Sequence, residues 1–247
     1  MNKENLFKTR RLVGLAVLTA LVVFLQLAGN FIPSFANGYA LALVPIAVGA
    51  ILYGPLAGLF LGFVMAAVIS TQPANYSLMA NGLDVVKLLV IMFSKSILAG
   101  FVSGLVYKAI AGIAKKSENK AKRNTLFAIS IVAASFVVPV INTGIYVVGM
   151  LALFSSNWGI EGGFVLGSLY EAMNYNNSIT LLLFGFVGIN FFVELGIAAV
   201  TAPALVLLIK VITRNYNLGF ANDFSAFIDE DVLLEADEDL ETEEIKA

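Results

Sequence analysis

Residues Tyr39–Thr71 read YALALVPIAVGAILYGPLAGLFLGFVMAAVIST, 33 positions without a charged side chain. A membrane hydrocarbon core is about 30 Å thick, and a helix crosses it in about 20 residues. One straight helix over this stretch would measure about 50 Å at ~1.5 Å per residue. Gly54-Pro55 sits near its middle. Proline lacks the backbone donor and its ring clashes with the preceding turn, so the pair is read as a break. Two short helices follow from this, at 40–53 and 55–71.

The rest of the chain supplies four more apolar segments. Leu12–Ile32 is the first, stopped by Pro33 and the turn-like Ser34–Gly38. Its 21 residues exceed a signal-peptide core and further apolar segments follow, so it reads as a retained span. Leu83–Ile113 is the fourth helix and carries Asp84, Lys87, Lys95 and Lys108. Thr125–Phe154 is the fifth, with an interruption expected at Pro139. Ile179–Ile212 is the sixth and contains Asn190, Glu194 and Pro203. The expected fold is all-α, a polytopic membrane protein of six transmembrane helices over 1–213, followed by an acidic, disordered tail at 214–247.

Composition agrees. The 247 residues are 59% hydrophobic and 13% charged, with a mean hydropathy of +0.89. Soluble domains are nearer 45–50% apolar and about 25% charged. The net charge of −2 conceals two parts. Residues 218–247 hold eleven Asp/Glu and one Lys, a balance of −10, and residues 1–217 hold fourteen Lys/Arg and six acids, a balance of +8.

The basic residues also fix the topology. Lys and Arg accumulate on the cytoplasmic side of membrane proteins. Lys8, Arg10 and Arg11 place the N-terminus there, and Lys115, Lys116, Lys120, Lys122 and Arg123 place the loop Ala114–Asn124 on the same side. Four spans between them satisfy that parity. An unbroken Tyr39–Thr71 would violate it. Lys210 and Arg214 then put the C-terminus in the cytoplasm too. The segments 33–38, 72–82 and 155–178 contain no Lys or Arg, as external loops should. The basic loop suits anionic lipid headgroups.

Several functions are excluded. There is no Cys or His, so zinc sites and catalysis by those residues are absent, and no cofactor or metal is called for. No glycine-rich phosphate loop is present; Lys116-Ser117 lacks the preceding glycine. Nothing implies a nucleic-acid partner or an enzyme. Six helices without a clear repeat are few for a complete secondary transporter.

Polar groups at membrane depth are costly and point to function. Asp84 and Lys87 lie three residues apart near the outer end of the fourth helix, with Lys95 deeper. Asn142 follows Pro139, and Asn190 and Glu194 are one turn apart. Together they could line an outward-facing cavity; structural pairing between helices is the other reading. Asn75 and Tyr76 lie in the loop at 72–82, which could fold over a ligand as a lid. Trp158, Tyr170, Tyr175, Asn176 and Asn177 mark a membrane interface. Small residues four apart let helices approach closely: Ala16 and Ala20, Gly58 and Gly62 with Ala66, and Gly100 and Gly104.

These pieces resemble a known family. The chain over about residues 8–213 is similar to the substrate-binding S component of an energy-coupling factor (ECF) vitamin transporter. The resemblance rests on Ala16-x-x-x-Ala20, on Val44-Pro45-Ile46 leading to Leu52-Tyr53-Gly54-Pro55-Leu56-Ala57-Gly58, on Pro139-x-x-Asn142-Thr143-Gly144, and on Asn190-x-x-x-Glu194. It implies a subunit that binds a water-soluble vitamin near its outer face. Such a subunit docks through Ala16 and Ala20 on a transmembrane coupling subunit driven by two cytoplasmic ATPases, and topples in the lipid bilayer to release its ligand inward. The similarity is greatest to riboflavin, folate and pantothenate carriers. Riboflavin carriers often have Lys near the position of Glu194, which counts against riboflavin. An anion such as pantothenate would need a cation, and Lys87 or Lys95 could supply it. An autonomous channel or secondary carrier is the alternative function.

Overall fold

The computed structural model describes residues 3–29, 41–72, 84–153 and 189–215. Among them are six helices and no strand: α1 Lys3–Gly29, α2 Leu43–Tyr53, α3 Pro55–Ser70, α4 Val85–Lys115, α5 Lys120–Leu153 and α6 Ile189–Asn215. Four of these, α1, α4, α5 and α6, are long and apolar enough to cross a membrane. The helices α2 and α3 are shorter, of 11 and 16 residues. Residues 179–188, the loop residues Asn75 and Tyr76, the aromatics between 155 and 178 and the tail from 216 lie outside the described residues.

The break in the long apolar stretch falls at Gly54. Its φ of 91° with ψ of 178° belongs to a region open essentially to glycine alone. Pro55 then starts α3, where a missing donor costs nothing. The chain reverses sharply at this point. A methyl added to Gly58 would lie 2.8 Å from Cβ of Ala50, whereas eight residues of straight helix would separate them by about 12 Å.

Helix α2 is the centre of the bundle. Leu43, Ile46, Ala47, Ala50, Ile51 and Leu52 are all buried, and the other five helices pack around it. A helix that is apolar on every side is stable only when enclosed. The surrounding helices have the opposite problem, because each presents large apolar side chains outward. Phe24, Leu56, Phe192, Val200 and Leu207 are 65–77% exposed. Water would penalise such a surface, and lipid does not.

Glycine makes the α3–α4 contact. A methyl on Gly58 would overlap the carbonyl oxygen of Gly100, and one on Gly100 would overlap the carbonyl oxygen of Gly58. One on Gly62 would overlap the carbonyl of Ser96. The small residues at four-residue spacing therefore face each other. In lipid, where no hydrophobic force drives helices together, this close approach supplies the dispersion contact.

Two expectations are corrected. Helix α5 runs unbroken through Pro139. One missing donor frees one carbonyl, at Ser135, and packing on both sides holds the helix together. The segment Ala114–Asn124 is also mostly helical. Helix α4 extends to Lys115 and α5 begins at Lys120, leaving four residues between them. Ala, Lys and Arg are good helix formers, and Asn119 Oδ1 accepts the Lys122 backbone N–H at 3.1 Å as a cap.

Candidate functional site

Helices α4 and α5 run antiparallel, and three contacts fix their register. Ser103 Oγ donates to the Ala134 carbonyl at 2.9 Å. Lys95 Nζ lies 5.1 Å from the centroid of the Tyr146 ring. A methyl on Gly149 would meet Ile91 at 2.8 Å. Lys95 therefore stands at the height of residues 142–146 on α5.

Helix α6 brings a carboxylate to this level. Glu194 is buried, 8% exposed. Below it, Glu194 shares a cavity of ≈ 20 Å³ with Ser135, Pro139, Val44, Ala47 and Thr201. That volume holds one or two waters. At membrane depth Lys95 has the face of Tyr146 beside it.

The same level holds unused hydrogen-bonding capacity. Asn142 is 4% exposed, and its Oδ1 has no hydrogen-bond partner among the described residues. Ser96, fully buried beside Lys95, has an Oγ in the same condition. Ser96 lies two turns before Ser103 on one face of α4, which sets it near Asn142. By contrast, Ser103, Ser130 and Ser135, further along the bundle, each donate to a helix carbonyl. A buried polar atom without a partner costs about 1–3 kcal/mol. Proteins retain such atoms where something else completes them.

The opposite end of the bundle is basic. Arg11 Nη2 donates to the Tyr53 carbonyl at 3.2 Å, completing the last turn of α2. Lys108 Nζ lies 4.0 Å from where a Gly54 methyl would be. The α2–α3 turn therefore sits on the side of Arg11 and Lys108, and the polar cluster lies toward the other end.

The remaining sequence candidates are placed as follows. Asp84 is exposed and caps α4: its Oδ1 accepts the N–H groups of Val86 and Lys87 at 2.9 and 3.1 Å. Lys87 is exposed one turn inside that cap, about 12 Å along the helix from Lys95. Asn190 is half-buried, one turn before Glu194. Ala16 and Ala20 lie on the outward face of α1 with Val13, Val17 and Phe24. The structure thus sets Lys95 against Tyr146, one turn from Asn142, and Glu194 against Pro139, and leaves Asp84 and Lys87 exposed at the start of α4.

Sequence reasoning missed Tyr146 and Ser96. Each had a signal: Tyr146 is one turn beyond Asn142, and Ser96 adjoins Lys95. It also missed the buried pair Gln26 and Gln72, both 3% exposed. Gln72 Nε2 donates to the Gln26 carbonyl at 3.4 Å, tying α1 to the end of α3.

The family model for the substrate-specific component of ECF transporters matches residues 10–206. The chain belongs to that family. No curated protein and no solved structure matches it. As an S component it is a multi-pass membrane subunit of a transporter, and substrate recognition is its part of the work.

Proposed function

We propose that this S component binds a water-soluble vitamin, of the pantothenate, folate or riboflavin class, in the outer half of the bundle. Lys95, Asn142 and Glu194 contact it, with Asn190 close by and Asp84 and Lys87 at the entrance. The observation that carries this reading is the unpartnered Asn142 Oδ1 between the Lys95–Tyr146 contact and the cavity where Glu194 of α6 faces Pro139 of α5. The loop carrying Asn75 and Tyr76 closes over the vitamin.

The chain crosses the membrane six times with both termini in the cytoplasm. Support comes from the α2–α3 turn, which sits beside Arg11 and Lys108, on the basic side. Docking on the transmembrane coupling subunit, itself driven by two cytoplasmic ATPases, uses the Ala16–Ala20 face of α1. Both alanines are exposed there, and small residues permit close helix contact.

A thermal-shift screen of the purified chain against the water-soluble vitamins tests the reading. One vitamin should raise the melting temperature in proportion to the logarithm of its concentration above Kd. A screen in which no vitamin does so overturns it. Uptake into liposomes by this chain alone, without coupling subunit or ATPases, would show an autonomous carrier instead.

A further inference from the structure

The turn between α4 and α5 gathers charge of one sign. Lys115, Lys116, Lys120, Lys122 and Arg123 fall within nine residues, with Glu118 as the acid among them. The four lysines are exposed and Arg123 is half-buried. Lys115 suits its place in the last turn of α4, where the helix dipole is negative. The first turn of α5 is the reverse case. It holds Lys120, Lys122 and Arg123 and no acid, although the N-terminal end of a helix favours negative charge. Arg123 also has an unspent donor, because its Nε is buried and has no hydrogen-bond partner among the described residues. A guanidinium in that state fits an oxyanion, whose two oxygens accept from neighbouring nitrogens together.

This surface lacks an anion, and the chain carries one. Residues 218–247 hold eleven acids and one Lys, a balance of −10, against +8 for residues 1–217. Helix α6 brings that segment to the right level. It packs on α5, and Ser135 of α5 and Thr201 of α6 line one cavity. Lys120, at the start of α5, is about 22 Å along the axis from Ser135. Asn215, at the end of α6, is about 21 Å from Thr201. In the topology proposed above, on which this rests, α6 runs antiparallel to α5, so its end stands level with the start of α5. Packed helices lie about 8–10 Å apart. The first acid, Asp223, is eight residues beyond Asn215, and eight residues span up to about 26–29 Å. The acids are therefore tethered within reach of the turn, at an effective concentration on the order of millimolar. An anionic leaflet repels them everywhere except at a basic surface.

We infer that the acidic segment 218–247 docks on the α4–α5 turn of its own chain, its carboxylates on Lys116, Lys120, Lys122 and Arg123. Docked there, it shields the turn from anionic headgroups.

The chain has no cysteine, so spin labels at introduced cysteines report without background. Ser117→Cys with Ala236→Cys is read by pulsed electron-resonance distances, on the full-length chain in nanodiscs of zwitterionic lipid. At about 0.1 M salt the distance distribution should be narrow. At about 1 M salt, where the screening length is about 3 Å, it should broaden, because the released segment wanders about 25 Å from Asn215. Lys116→Gln, Lys120→Gln, Lys122→Gln and Arg123→Gln together should broaden it at about 0.1 M salt in the same way. A wild-type distribution equally broad at both salt concentrations overturns the inference, even where the fourfold variant does not fold. A narrow distribution that becomes broad when anionic lipid is added assigns the turn to headgroups and overturns it too. Ser117→Cys with Asn215→Cys checks the topology separately. A distance above about 40 Å, the thickness of a bilayer with its headgroups, overturns topology and docking together. A shorter one leaves the topology standing whatever the acidic segment does.

Discussion

Replacing Gly58 with alanine adds one methyl group at the tightest point between α3 and α4. That methyl would sit 2.7 Å from the carbonyl carbon of Gly100. Carbon atoms rest about 3.5–4.0 Å apart, so the two helices must separate by about 1 Å. Such a gap forfeits a quarter to a half of the attraction in each contact it opens. Overpacking of this kind costs about 1–3 kcal/mol. Against that, alanine regains about 0.5–1 kcal/mol over glycine inside a helix. The net loss is about 1–2 kcal/mol, or roughly 2–8 °C in Tm for a chain of this length. Gly100→Ala should behave alike, and the double variant should lose less than the two losses added, because one separation serves both methyls. Gly112→Ala is the control. Its methyl meets nothing within 4 Å, so it should melt at or slightly above the wild-type temperature. The assay is helical circular dichroism against temperature in detergent. If Gly58→Ala melts with Gly112→Ala, the close approach does not stabilise the bundle and the reasoning is wrong.

Other substitutions probe other links in the argument. Gly54→Ala forces a side chain into a backbone region that costs about 1–3 kcal/mol, so its melting temperature should fall; an unchanged value would show a different turn. Asp84→Ala should cost about 0.5–2 kcal/mol of stability through the lost cap, with vitamin affinity held within about twofold by titration. A large loss of affinity would instead make Asp84 a direct ligand contact. Asn142→Ala should weaken vitamin binding about tenfold, one hydrogen bond's worth, without lowering the melting temperature of the empty protein. Ala16→Leu with Ala20→Leu should leave binding intact while abolishing uptake and co-purification with the coupling subunit; normal uptake in that double variant would refute the docking role.

Much of the fold was legible because membrane helices are written in length and charge. The break at Gly54 followed from too many apolar residues and from the side on which Lys115–Arg123 had to lie. The errors came from reading composition as conformation. Ala114–Asn124 looked like a loop because it is charged, yet its residues favour helix and Asn119 caps the next one. Pro139 looked like an interruption, although a membrane helix packed on both sides absorbs one missing donor. The site was legible only one residue at a time. Lys95, Asn142 and Glu194 each stood out as polar groups in apolar runs, but their meeting depends on the register between α4 and α5. That register is set by Ser103 against Ala134 and Ile91 against Gly149, contacts between residues with no outward sign in sequence. Tyr146 was hidden for the same reason.

Helix α1 packs chiefly on α2 and α3, while Lys95, Asn142 and Glu194 belong to α4, α5 and α6. The enclosed α2 stands between the two groups. If α1 is the docking face and α4–α6 hold the ligand, as proposed above, selection for a new nutrient and selection for a fit to the energising machinery act on different parts of the chain, and a lineage can redraw the interior of α4–α6 while α1 keeps its match to its partner. Grafting those three helices between relatives should carry the diet across and leave the engine coupling behind.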